Sequence, residues 1–227
     1  MKDCVYKKLK KVNAVRMFYG STIVPPQKQV HEKIVKSNED LNIQTFFYQP
    51  NYDDKVASRM RAFVAMNEQD ENVMGMIGGL FNNKLNAIFL DASLEDVELQ
   101  TTNQHELVHL TMTMPVFTEM IAAVNEKVSQ ETIEKFALMW GANDLNVVYI
   151  EMAVEAFLGN VPELREKGKE LYPKMQEQLL QSRTSIPKHK AVEPGKTVGE
   201  TFVNLEKAYG MKKSAIKHAV RKMGFEK

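Results

Sequence analysis

Residues 105–109 read HELVH, and two histidines four positions apart can hold one metal ion if the segment is a helix. Positions i and i+4 lie one turn apart on the same helix face, so the imidazoles of His105 and His109 would point at a common spot. Glu106, offset by about 100° around the helix, would lie beside the metal and could take a proton from zinc-bound water. The motif predicts a zinc site that includes its own general base.

A third protein ligand is needed, and it cannot be a histidine ten residues after the start of the motif because Pro115 occupies that position. A carboxylate further along the chain would complete the set. The segment 145–160, LNVVYIEMAVEAFLGN, offers Glu151 and Glu155 at i and i+4, among apolar neighbours that leave little room for a solvated face. Glu151 is the favoured ligand, and Glu155 is either a hydrogen-bond partner of a metal-bound histidine or an alternative ligand. The remaining candidate acids are Glu119 and Asp144.

Weaker interpretations of these residues stand beside the metal site. The HELVH segment can also be a polar helix face with two solvated or capped histidines. His31 has no neighbouring set of ligands and is expected to be structural or exposed. Candidates for a further donor near the reacting group are His189, Tyr149 and Tyr172.

The elements around the motif predict an α+β fold that is rich in helix. Two apolar runs in 73–93 flank a turn at 82–84, which indicates a β-hairpin with its second strand at 85–90. A strand is also expected within 42–51. We therefore expect a small antiparallel sheet packed on a helical bundle, with the two metal-bearing helices facing each other.

Helix start and stop signals divide the rest of the chain. Thr101 or Thr102 would cap the HELVH helix, and Pro115 cannot continue it. Asp144 would cap the helix that bears the glutamates, and Pro173 is expected to interrupt the next helical segment. Helices are predicted at 26–37, 116–127, 130–140, 145–160 and, in two pieces, 162–182.

Composition excludes several classes of protein. The chain has 227 residues, of which 44% are hydrophobic and 26% charged, and its net charge of +1 gives no reason for a globally nucleic-acid-binding or membrane-bound surface. No segment reaches the roughly 18 apolar residues of a membrane span, and no apolar run follows the charged start as in a secretory signal. The single cysteine, Cys4, cannot form an intrachain disulfide, so we expect a cytoplasmic protein.

The C-terminal part predicts a separate module. Residues 1–182 would form the main domain, 183–198 a linker or extended arm, and 199–227 a helix-turn-helix-like module with Gly210 in the turn. Its outward-facing cations would contact DNA phosphates or a protein partner. The cations of this predicted partner-binding surface are Lys212, Lys213, Lys217 and Arg221.

These features together resemble the ImmA/IrrE-type metallopeptidases encoded beside repressors in mobile elements. The resemblance covers a hairpin strand AIFLDAS, the HELVH motif, a later glutamate helix and the C-terminal module. Glu151, Ala156 and Phe157 match the family's glutamate pattern, whereas Glu155 replaces an asparagine and the spacing from HELVH to Glu151 is longer. The resemblance implies a zincin-like, gluzincin-type fold, a Zn²⁺ cofactor and cleavage of a regulatory protein.

Two functions follow as expectations. The first is a zinc-dependent endopeptidase, a hydrolase in which His105, His109 and Glu151 hold zinc and Glu106 is the general base. The second is a non-catalytic regulator on a zincin scaffold that contacts DNA or a repressor through its C-terminal module.

Overall fold

The structure, a computed structural model, describes residues 20–50, 79–82, 85–139, 144–184 and 191–210. These residues form an α+β fold that is rich in helix. The strands are β1 (Thr22–Val24), β2 (Gln44–Gln49), β3 (Gly79–Asn82) and β4 (Ala87–Asp91). The helices are α1 (Gln29–Asp40), α2 (Asp96–His109), α3 (Pro115–Lys127), α4 (Gln130–Met139), α5 (Leu145–Phe157), α6 (Arg165–Thr184) and α7 (Val198–Ala208), with a 3₁₀ turn at Pro162–Leu164 before α6.

The sheet is mixed, which corrects the expectation of an antiparallel sheet. Its strand order is β1-β2-β4-β3. The predicted hairpin is confirmed by the antiparallel pair β3 and β4, and β1 is also antiparallel to β2, but β2 and β4 run parallel. Parallel pairing joins strands that are distant in the chain, so it leaves no local turn signal.

Both faces of β4 are covered, which explains its uninterrupted apolar sequence AIFLD. Alternate side chains point to opposite faces of a strand. Ala87 and Phe89 belong to an apolar cluster with α7, whereas Ile88 and Leu90 belong to a second cluster with α1 and α2. β4 is therefore the central strand between a layer with α7 and a layer with α1 and α2.

A third apolar cluster forms a helical bundle that holds α5 beside α2. It contains Met120 of α3, Met152 and Phe157 of α5, Leu171 of α6 and also Val108 of α2. Val108 precedes His109 and Met152 follows Glu151 in the chain. Packing of these two apolar residues in one cluster thus brings the candidate ligands of both helices to the same place.

Helix boundaries confirm some of the local signals and correct others. The Asp144 carboxylate accepts a hydrogen bond from the Asn146 N–H at 2.9 Å and caps α5 as expected, and Pro115 is the first residue of α3. The prediction that Thr101 or Thr102 caps the motif helix is wrong, because α2 begins at Asp96 and the Glu98 carboxylate accepts from the Glu95 N–H.

The predicted break near Pro173 is also wrong, since α6 is one helix of 20 residues with this proline inside it. Its buried Leu171 and Met175, on either side of the proline, pack in the helical bundle. Tertiary packing therefore outweighs the cost of the missing backbone hydrogen bond.

The chain after α6 returns to the sheet. The Ile23 N–H donates to the Lys196 carbonyl at 2.9 Å, and the Val198 N–H donates to the Ser21 carbonyl at 3.0 Å. Helix α7 then stacks Phe202 on Phe89, with ring centroids 4.6 Å apart. α7 ends at Ala208, and Gly210 has a φ of +64°, as expected for a glycine turn.

No helix within the described part of the chain is both long and apolar enough to cross a membrane.

Candidate metal centre

Helices α2 and α5 bring three potential ligand atoms together. The Nε2 atoms of His105 and His109 are 3.1 Å apart, and Glu151 Oε2 lies 3.2 Å from the first and 3.4 Å from the second. His105 and His109 reach this point because they are one helical turn apart on α2. The predicted set His105, His109 and Glu151 therefore forms one cluster.

The separations within this cluster match those of a zinc site. Imidazole and carboxylate ligands lie about 2.0–2.2 Å from zinc, so two ligand atoms of a tetrahedral site are about 3.3 Å apart. The three observed distances, 3.1, 3.2 and 3.4 Å, lie around this value. Two imidazoles and one carboxylate also form a donor set that suits zinc, and they leave a fourth position open in a tetrahedron.

Glu151 Oε2 supplies a second observation at the same point. The atom is buried, and within the described residues it faces the Nε2 atoms of His105 and His109 at 3.2 and 3.4 Å without the geometry of a hydrogen bond. A carboxylate oxygen withdrawn from water is costly unless it has a partner of opposite charge. A protonated His105, or a metal cation between this oxygen and the two imidazole nitrogens, would meet that need.

The three side chains of the cluster are mostly buried. The side chains of His105, His109 and Glu151 are 14, 16 and 17% exposed. Most of the surrounding volume is therefore protein, where electrostatic interactions are stronger than in water.

The other ring nitrogens of the two histidines have different partners. His105 Nδ1 lies 2.8 Å from Glu155 Oε1, and His109 Nδ1 lies 3.4 Å from the thioether sulfur of Met112. A carboxylate or sulfur acceptor favours the tautomer with the proton on Nδ1, which leaves Nε2 available to a metal. Glu155 thus occupies the predicted place of a partner to a ligating histidine.

The pKa values indicate a negative potential at this point. Burial opposes the charged form of His105, but interactions with Glu151 and Glu155 and the charge of Glu106 outweigh it and raise the pKa of His105 to about 10. Burial likewise opposes ionisation of Glu151, yet His105 and His109 lower the pKa of Glu151 to about 2. The pKa of Glu155 is also lowered, against burial, by His105 and by Asn160. Three carboxylates therefore favour positive charge where the imidazoles meet.

Glu106 is buried beneath β3, with 8% of its surface exposed. A Cβ placed on Gly79 would lie 2.9 Å from Glu106 Cγ and 2.7 Å from Thr102 Cγ2. These distances are shorter than ordinary carbon contacts, so a Cβ at residue 79 would force the side chains of Glu106 and Thr102 to shift. β3 and α2 together restrict where the Glu106 carboxylate can point.

The turn between β4 and α2 is shaped by Asp91. Its Oδ1 accepts hydrogen bonds from the Ser93 N–H at 2.8 Å and from the Ser93 hydroxyl at 2.6 Å. Burial raises the pKa of Asp91, and the two hydrogen bonds from Ser93 oppose that rise. This turn directs the chain from the buried central strand into the helix that bears the histidines.

The two alternative ligand acids do not join the cluster. Glu119 is paired with Lys167 at 2.6 Å, and Asp144 caps α5, so neither joins the cluster. His31 is fully buried and has a structural position on α1. Tyr149 and Tyr172 pack beside the helical bundle. Outside the described residues lie His189, Lys212, Lys213, Lys217 and Arg221, so contact of the C-terminal module with DNA or a repressor stays a prediction.

Sequence reasoning does not single out three residues that the structure places around the centre. Each of them contacts a side chain of the cluster or one of its neighbours, and spacing along the chain does not predict such contacts. Only one of these residues, Asn160, has a signal in the sequence, because it follows Gly159, and a glycine often marks the end of a helix. The three residues are Gly79, Met112 and Asn160.

No protein-family model matches the chain, and comparison with curated proteins and with solved structures found no match.

Proposed function

We propose that the protein is a zinc-dependent endopeptidase with a zincin-like centre, in which His105, His109 and Glu151 hold the metal and Glu106 is the general base. The observation that carries this proposal is the convergence of two imidazole nitrogens and a buried carboxylate oxygen within 3.1–3.4 Å of one another. The resemblance of the HELVH and glutamate helices to ImmA/IrrE-type metallopeptidases supports the same ligand set.

Zinc held by His105, His109 and Glu151 would supply a Lewis acid that polarises a carbonyl group and activates water. Residues of the chain would transfer the proton and orient the ligands. Glu106, adjacent to His105 and buried beside the cluster, takes the proton of the attacking water and returns it to the leaving amine. Glu155 holds the Nδ1 proton of His105 and so fixes the orientation of that ring.

An extended peptide is the substrate class that these residues suit best. In the strand order of the described residues, β3 is at the edge of the sheet, and its first residue lies directly against Glu106. An edge strand offers unpaired N–H and C=O groups to an incoming extended chain. A peptide aligned with β3 would pass close to Glu106, the proposed general base.

The test is the substitution Glu106→Gln in the zinc-loaded protein. We expect stoichiometric zinc by elemental analysis, with cleavage of a mixture of quenched fluorogenic peptides reduced by about 10²- to 10⁴-fold, the usual contribution of a general acid–base group. Glu126→Gln is a matched control, because Glu126 is exposed on α3 and the same change of charge is made away from the cluster.

Cleavage by Glu106→Gln at the rate of the unmodified protein would show that the proposed mechanism is wrong. A protein that binds zinc but cleaves none of the peptides, in either form, would instead favour the non-catalytic regulator. Absence of zinc binding by the unmodified protein would contradict both.

A further inference from the structure

Helix α5 ends in a turn that directs Asn160 back toward the candidate metal centre. Gly159 has a φ of +81°, its N–H donates to the Ala156 carbonyl at 3.1 Å, and the Asn160 N–H donates to the Glu155 carbonyl at 2.9 Å. This pair of hydrogen bonds around a left-handed glycine is the Schellman arrangement. It places the side chain of Asn160 beside the last turn of α5, where Glu155 lies.

The Glu155 carboxylate is held at both of its oxygens. Oε1 lies 2.8 Å from His105 Nδ1, and Oε2 accepts a hydrogen bond from the Asn160 amide at 2.5 Å. A carboxylate can only accept, so the amide must present its NH₂ group to Glu155. The two contacts fix the plane of the carboxylate and define a chain from Asn160 through Glu155 to His105.

Glu155 competes with Glu151 for the position of metal ligand. The two glutamates are four residues apart on one face of α5, so both carboxylates can approach the two imidazoles. Freed from Asn160, the Glu155 side chain could rotate away from Nδ1 of His105 and approach Nε2. The hydrogen bond from Asn160 opposes that rotation and leaves Glu151, whose buried Oε2 lies 3.2 and 3.4 Å from the two Nε2 atoms, as the ligand.

We propose that Asn160 is a positioning residue of the metal centre: it holds Glu155 on His105 and thereby determines that Glu151 is the glutamate that binds the metal. This inference rests on the proposed metal site but not on peptidase activity. Asn160 itself is on the surface, so its substitution leaves the buried core of the protein in place.

The experiment uses Asn160→Asp, Asn160→Ala and Asn160→Gln in the full chain. Asp has nearly the same shape as Asn but sets a second carboxylate against Glu155, and Ala removes the donor. We expect zinc affinity, measured by competition with a chromophoric chelator, to fall by about 10- to 100-fold for Asn160→Asp and by about 10-fold for Asn160→Ala, the range for outer partners of metal ligands. Asn160→Gln keeps an amide donor and should stay closer to the unmodified protein.

The visible spectrum of bound Co²⁺ reports the ligand geometry, which a purely structural role of Asn160 would leave unchanged. We expect the ligand-field bands to shift in position or intensity in Asn160→Asp and Asn160→Ala. The matched control is Asn125→Asp, which introduces the same charge at an exposed asparagine near the end of α3, whose amide donates to the Ile121 carbonyl. Its zinc affinity and Co²⁺ spectrum should equal those of the unmodified protein.

Equal zinc affinities and superimposable Co²⁺ spectra for all Asn160 variants would overturn the inference and leave the proposed metal site intact. Failure of the unmodified protein to bind zinc or Co²⁺ would overturn both. If Asn160→Asp loses its helical circular dichroism, the zinc affinities and Co²⁺ spectra of Asn160→Ala and Asn160→Gln are compared instead. Equal values for these two variants would overturn the inference.

Discussion

Two histidines on neighbouring helices, His31 of α1 and His105 of α2, show how surroundings distinguish a structural imidazole from a candidate ligand. His31 is fully buried and stacks on Phe47 with ring centroids 4.1 Å apart. Its Nδ1 accepts from the Gln27 N–H at 3.3 Å, and its Nε2 makes no hydrogen bond to the residues described. His105, in contrast, lies among carboxylates on α2 and α5 and beside a second imidazole.

The two environments move the imidazole pKa in opposite directions. Burial lowers the pKa of His31, Lys28 lowers it further, and Asp96 opposes them. For His105 the carboxylates outweigh burial and raise the pKa to about 10. Burial alone therefore yields a neutral ring packed like an aromatic residue, whereas burial among converging acids yields a place for positive charge. Only the second environment is suited to a metal ion.

The largest effect expected from this difference is on metal binding. His105→Ala should lower zinc affinity by more than about 100-fold, because outer partners of metal ligands alone account for 10- to 100-fold. His31→Ala should leave zinc affinity unchanged, although it creates a cavity beside Phe47 and lowers the free energy of unfolding. Elemental analysis measures the zinc content of both variants, and chelator competition measures their zinc affinity. An equal loss of zinc in the two variants would contradict the distinction between the two histidines.

A smaller effect, on the rate of peptide cleavage, is expected from substituting Gly79, which lies against α2 but is not a candidate ligand. In Gly79→Ala the new Cβ meets Glu106 Cγ and Thr102 Cγ2, so the carboxylate must shift. We expect peptide cleavage to fall by about 10- to 100-fold with zinc still bound, since a misplacement of about 1 Å can cost that much.

Gly20→Ala is the matched control for this prediction, because a Cβ at Gly20 meets no atom of the described residues within 4 Å. Its rate and zinc content should equal those of the unmodified protein. Full activity in Gly79→Ala would show that β3 does not restrict the Glu106 carboxylate.

The smallest expected effect is on the pH dependence of stability, and it belongs to His31. Its pKa in the folded protein lies below its ordinary value of 6.5, so the unfolded chain binds more protons in the interval between the two values. The free energy of unfolding therefore falls as the pH decreases below about 6.5, and the contribution is constant above it.

His31→Phe removes this titration while keeping a ring against Phe47. We expect urea unfolding of the metal-free variant to depend less on pH between about 5 and 7 than that of the unmodified protein. The other titrating groups are common to both proteins and cancel in the difference. Parallel pH profiles for the two proteins would indicate that His31 does not change its protonation on unfolding.

Local sequence signals account for much of the fold. Within the candidate site they account for the pairs of residues that share a helix face. The hairpin of β3 and β4, the Asp144 cap of α5 and the start of α3 at Pro115 each depend on residues a few positions apart. The wrong prediction of a helix break also comes from a local signal. Pro173 is a local stop signal, but α6 continues through it because the flanking residues pack in the bundle.

The sequence by itself determined which residues share a helix face: His105 with His109, and Glu151 with Glu155, because the 3.6-residue period of the helix is a local property. Tertiary structure decided which of the two glutamates faces the imidazole Nε2 atoms, that Gly79 lies over Glu106, and that Asn160 holds Glu155. These relations join segments that are distant in the chain or side chains at a helix end. They depend on how Val108 and Met152 pack in a shared apolar core, which no periodicity within a single helix encodes.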